Sequence, residues 1–147
     1  MIERIGSLTE FGSQSSTNTS VNVPADATLM LVGVSGYRNQ VEFFSGGSMT
    51  IDSASMTPVG ADATYDYFQG ALFYKVLPAT GDGKTLAWTW LGAVFDGVKF
   101  VYGFYKGIDT ADPVRDSWGS QASLPPFETD TLNCVSGDWI VAWVEQF

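Results

Sequence analysis

The sequence contains no histidine, a single cysteine and only seven Lys and Arg among its 147 residues. Each shortage removes chemistry. Without an imidazole there is no Ser-His-Asp triad, no Cys-His pair, no His-ligated zinc site and no switch near neutral pH. Cys134 has no second cysteine with which to close an intrachain disulfide. Its surroundings, Leu132-Asn133-Cys134-Val135, read as a strand with a buried, inert thiol. The cations Arg4, Arg38, Lys75, Lys84, Lys99, Lys106 and Arg115 stand singly against sixteen acidic residues, for a net charge of −9. A chain so charged, with no basic cluster, repels phosphate backbones, so nucleic acid is not an expected partner. Long apolar runs are missing too. The longest, Leu29 to Val34, falls far short of the ~20 residues of a spanning helix, so no membrane partner is expected. The opening Met-Ile-Glu-Arg-Ile-Gly-Ser has neither a basic nor an apolar signal region, and the expectation is a chain without a signal peptide. Asn18-Thr19-Ser20 matches a glycosylation acceptor, which carries little weight without a secretory route.

What is present is β-forming. Hydrophobic residues make up 45% of the chain and aromatics 14%, too many for a disordered polypeptide. One domain spanning 1–147 is long enough to bury about 68–70% of its unfolded surface without a metal or disulfide staple. No segment of ten or more residues has a 3.6-residue period, whereas period-two and short apolar runs recur throughout. The pattern predicts about ten short strands, near 2–8, 18–23, 28–34, 41–44, 48–51, 70–77, 85–91, 99–105, 129–135 and 139–145. Ser45-Gly46-Gly47-Ser48, Gly81-Asp82-Gly83, Asp96-Gly97 and Ser136-Gly137-Asp138 read as turns between them. The N-terminal strand and a polar loop fill residues 1–17, and 110–127 forms a long loop of the kind that carries function. The class is all-β, a sandwich or barrel with no long helix.

Three predicted strands are apolar on both faces. Leu86, Trp88 and Trp90 oppose Ala87, Thr89 and Leu91. Trp139, Val141 and Trp143 oppose Ile140, Ala142 and Val144. Ala71 and Phe73 oppose Leu72, Tyr74 and Val76. A strand with one wet face alternates instead. Either loops or a second subunit cover the outer side, and association is preferred because large exposed apolar patches are rare on monomers.

The densest polar stretch, Gly107 to Asp116, holds Asp109, Asp112 and Asp116. Three carboxylates can ligate calcium or act as an acid/base pair. The run lacks EF-hand spacing, and the simpler expectation is that Asp109 and Asp112 accept backbone N–H groups in turns. Ser35 in Gly33-Val34-Ser35-Gly36 opens no helix and has no base to activate it. Lys75, within an apolar strand, is the one pointer to Ser-Lys chemistry, and most such lysines snorkel outward. No catalytic residue, cofactor or metal site is therefore assigned. Trp88, Trp90, Trp139 and Trp143 read as core. Tyr37, Tyr65, Tyr67 and Trp118, beside Gly, Ser, Asp or Asn, are the candidate contacts for a glycan or a protein partner. Their competing role is to fold back and plug a loop.

Four pieces invite a family comparison. They are Val21-Asn22-Val23-Pro24 leading into Thr28–Val34, Gly70–Pro78, Gly107-Ile108-Asp109 with Asp112-Pro113, and Ser136–Ala142. In this order they resemble a β-sandwich module of tailed-phage virion proteins and related bacterial surface proteins, over about residues 18–144. Asp26-Ala27 stands where that module has Gly-Asp. The resemblance brings no catalytic residues with it. It implies a jelly-roll-like antiparallel β-sandwich acting as a non-enzymatic structural protein of a virion assembled in the host cytoplasm. Capsid decoration is preferred over a tail or fibre place. Other virion proteins and further copies of the chain, a trimer first, are the expected partners. The alternative is a carbohydrate-binding module using the loop aromatics.

Overall fold

A computed structural model describes residues 1–13, 18–37, 48–65, 68–77, 80–89, 97–114 and 136–139. Of Tyr37, Tyr65 and Phe68 it describes the backbone alone. The described residues form nine strands and no helix, so none is long and apolar enough to cross a membrane. The strands are β1 (Glu3–Ser13), β2 (Asn18–Val23), β3 (Leu29–Tyr37), β4 (Ser48–Ile51) and β5 (Ala54–Ser55). They continue with β6 (Thr57–Tyr65), β7 (Phe68–Val76), β8 (Gly81–Thr89) and β9 (Gly97–Lys106). Two antiparallel sheets result, ordered β1-β9-β3-β7-β6 and β2-β8-β4-β5. The protein is an all-β sandwich.

Alternation along each strand builds the core. From the larger sheet, Met30, Val32, Val34, Ala71, Phe73, Phe100, Tyr102 and Phe104 point inward. Val21, Val23, Met49, Ile51, Leu86 and Trp88 meet them from the smaller one. Trp88 crosses to Phe100, ring centroids 5.9 Å apart and nearly perpendicular, the edge-to-face geometry that aromatic quadrupoles favour. Trp88 is thus core, as its alternation implies.

The predicted spans 18–23 and 48–51 match β2 and β4. Three readings need correction. Gly81-Asp82-Gly83 is no turn but the start of β8, where Gly81 pairs with Val23 across a register shift and Gly83 N–H donates to Asn22 Oδ1 at 3.0 Å. Residues 57–65 are a strand, β6, although Pro58 and a lack of alternation concealed it. β8 has one wet face over its described length: Leu86 and Trp88 are buried while Thr85 and Thr89 are exposed and Ala87 is half-buried, and Trp90 and Leu91 lie outside the described residues. The two-sided pattern does hold in β7, where Leu72, Tyr74 and Val76 are half-buried on the side opposite Ala71 and Phe73. Thr110–Val114 lie in irregular structure. The predicted strands 41–44 and 129–135, the residues after Trp139, and 115–127 of the long loop lie outside the described residues.

Candidate interaction surface

The two outer faces of the sandwich differ in chemistry. On the four-stranded sheet, Ser20, Ser48, Ser55, Thr85 and Thr89 stand exposed, and Thr50 and Ala87 are half-buried. This is a wetted face. It holds a shallow hollow of about 410 Å³ lined by Thr50, Asp52, Ser53, Thr85 and Ala87. The hollow's one carboxylate is already engaged: Asp52 accepts Thr85 N–H through Oδ1 and pairs with Lys84 Nζ through Oδ2, both at 2.8 Å. The Lys84 hydrogen bond, then that of Thr85, hold the Asp52 carboxyl below its ordinary range.

The outer face of the five-stranded sheet is apolar. Register places Arg4, Tyr105, Leu29 and Val76 in one cross-strand row, and Gly103, Leu31, Tyr74 and Thr57 in the next. Glu10, Val101, Gly33, Leu72 and Val59 form a third. Leu31, Leu72, Tyr74, Val76 and Val101 are half-buried, while Leu29 and Tyr105 are buried. Trp139, expected in the core from its alternation, is instead 51% exposed and stands edge-on against Tyr105 on the outer face, ring centroids 6.3 Å apart. Burial raises the Tyr105 phenol above its ordinary value, against a smaller lowering from the Arg4 charge.

Leu8 reaches this face through a bulge. β1 pairs with β9 at Ile5↔Phe104 and resumes at Thr9↔Tyr102, so Gly6, Ser7 and Leu8 stand where the partner has one residue, Gly103. Gly6 supplies φ +70°, and the Arg4 Nε–H donates to its carbonyl at 3.1 Å. Leu8 then lies over Gly103, with Cδ2 only 2.7 Å from where a Cβ would be. It stays 51% exposed. The sequence pattern does not single out Leu8 and Tyr105; the available signal was Gly6, two positions before Leu8, breaking the alternation between the core-facing Ile5 and Phe11.

The predicted contact residues divide. Tyr37 and Tyr65 both pair with Phe68, so three aromatic residues share the last cross-strand row of the larger sheet. Tyr67 and Trp118 lie outside the described residues. Asp109 Oδ1 accepts Ala111 N–H at 3.0 Å, the turn role expected of it. Asp112 is exposed, and Asp116 lies outside the described residues. Among the described residues no three potential metal ligands come together. Ser35 is half-buried within β3. Lys75 occupies the inner-face row of Met30, and its Nζ–H donates to the Ser55 carbonyl at 2.7 Å, tying one sheet to the other. Cys134 lies outside the described residues.

The architecture is thus that of a β-sandwich with one polar and one apolar outer face. Comparison with protein-family models, with curated proteins and with solved structures finds no match.

Proposed function

We infer that the protein is a non-enzymatic structural component that works by association. In this reading it is a jelly-roll-like module of a phage virion, a capsid decoration before a tail or fibre part. It assembles in the host cytoplasm, and its partners are further copies of itself and other virion proteins. The apolar outer face of the five-stranded sheet carries the reading, because Leu31, Leu72, Tyr74 and Val101 stand half-buried in a chain otherwise rich in carboxylates. The nesting of β1 beside β9 and β2 beside β8, in opposite sheets, supports jelly-roll connectivity. Jelly rolls recur in viral capsid and lectin domains, an argument by analogy of fold alone. Light scattering over a wide concentration range tests the reading. A stable closed oligomer supports it, and a monomer at every concentration removes its basis.

One observation favours the glycan alternative: Tyr37, Phe68 and Tyr65 share a row across three adjacent strands. Neighbouring strands lie about 4.8 Å apart, so the outer two positions are separated by about 10 Å, a spacing suited to successive sugar rings. Tryptophan fluorescence that moves on adding oligosaccharide, and stops moving in Trp118→Ala, would put this reading first.

A further inference from the structure

Among the described residues, three large hydrophobic side chains are exposed: Met1, Leu8 and Trp139. Two of them stand on the outer face of β9, Leu8 over Gly103 and Trp139 against Tyr105. Tyr, Trp and Arg are the residue types that dominate the centres of protein interfaces, and Arg4 shares the row of Tyr105. The bulge that lifts Leu8 onto the face also interrupts the edge of β1, which blocks continuous strand addition along it. A partner must therefore approach this corner face-on.

Charge narrows the choice of partner. Lys99 pairs with Glu10 at 2.8 Å, and Lys106 with Asp26 at 3.0 Å and Glu3 at 3.5 Å. With Arg4, these groups balance one another in a chain of net charge −9. Self-repulsion between two copies is weakest where the surface is neutral. Along β1, Arg4 and Glu10 flank Leu8, one of each sign at either end.

We propose that two copies of the chain meet face to face at this corner, about a two-fold axis passing near Leu8. A two-fold contact sets the same patch against itself in reverse, so each Arg4 lies opposite Glu10 of the partner subunit. The proposal rests on the association reading above and replaces the three-fold arrangement implied by a trimer with a two-fold one.

Sedimentation equilibrium on the full chain tests it, using wild type, Leu8→Asp, Trp139→Ala and, in a Lys99→Ala background that removes Glu10's own intrachain partner, Arg4→Glu, Glu10→Arg and the double variant Arg4→Glu/Glu10→Arg. The wild type is expected to be a dimer. Leu8→Asp, Trp139→Ala and each single charge reversal raise its dissociation constant about tenfold or more. The double reversal restores most of the loss. Melting curves run alongside separate lost association from lost folding, and Trp139→Ala probes the patch without touching β1. An oligomer indifferent to all these changes overturns the proposal and leaves the association reading standing. A double reversal no better than the singles overturns the two-fold register. A wild-type monomer at every concentration overturns both readings, and leaves the face covered by the chain itself or by a different protein.

Discussion

Asp52 and Thr85 are joined twice. Asp52 N–H donates to the Thr85 carbonyl, and Thr85 N–H donates to Asp52 Oδ1, both at 2.8 Å. The side chain thereby supplies the next rung of the β4–β8 ladder after the chain has turned away. That turn is the Asp52-Ser53 pair between β4 and β5, with φ of 48° and 67°, the left-handed geometry of a tight hairpin.

Three substitutions at Asp52 separate the two contributions. Asn tolerates positive φ and keeps an Oδ1 acceptor, so Asp52→Asn should melt nearest to wild type. Gly keeps the turn and loses the rung. Ala loses the rung and strains the turn, so Asp52→Ala should have the lowest melting temperature of the three. Any other order would mean that the rung, the turn or the Lys84 pair has been misjudged.

The pH dependence of stability follows from four groups. Hydrogen bonds from Lys106 to Asp26 and from Lys84 to Asp52 lower both carboxyl pKa values below the ordinary 3.8. Their contributions are therefore present above the unfolded value and lost as pH falls through the folded ones. The bond to Asp26 raises Lys106 above 10.5, and burial raises Tyr105 above 10.0. Those contributions are complete below the unfolded values and lost as pH climbs through the folded ones. With no histidine in the sequence, the melting temperature should be nearly flat between about pH 5 and 9. It should fall on both sides, and Asp26→Asn should flatten the acid limb. A step near pH 6.5 in the wild type would contradict this assignment.

Leu8 and Gly103 form a testable pair because an alanine Cβ at 103 would lie 2.7 Å from Leu8 Cδ2. Gly103→Ala must push Leu8 off the face. In the Leu8→Ala background the same Cβ meets only ordinary contacts, Tyr105 Cε2 at 3.5 Å and its hydroxyl oxygen at 3.6 Å. A double-mutant cycle on melting free energies should therefore return a coupling of about 0.5 kcal/mol or more. Additive effects would show that Leu8 does not rest on Gly103.

How much of this was legible in the sequence depended on whether a residue's neighbours are local. Val21 and Val23 alternate with polar residues, and Met49 and Ile51 alternate with Ser48 and Thr50, so β2 and β4 declare their spans and buried faces. β6 does not, because Thr57-Pro58-Val59-Gly60 has no alternation and its place beside β7 is set by partners beyond its own sequence. Gly81-Asp82-Gly83 carries turn chemistry, yet Asn22 Oδ1, 61 residues away, holds Gly83 in a strand. The same limit applied to the candidate surface. Apolar residues on both sides of β7 were visible in the sequence, whereas the meeting of Leu8 with Gly103 depends on a bulge and a cross-strand register.

Phe100 and Val101 are adjacent in β9 and point to opposite sides of the larger sheet. Phe100 is 1% exposed and packs between Phe11, at 6.0 Å, and Trp88, at 5.9 Å. Removing its ring leaves a cavity lined by rigid aromatics, and Phe100→Ala should cost about 3–5 kcal/mol. That loss belongs to the single chain and should not depend on protein concentration. Val101 is half-buried on the outer face. If copies associate there, part of its burial comes from the partner, and mass action links that part to concentration. Val101→Ala should then destabilise more at concentrations where the wild type is assembled than where it is dilute. Chemical denaturation of both variants at low and high protein concentration makes the comparison. Equal Val101→Ala losses at the two concentrations would place that face outside the association surface.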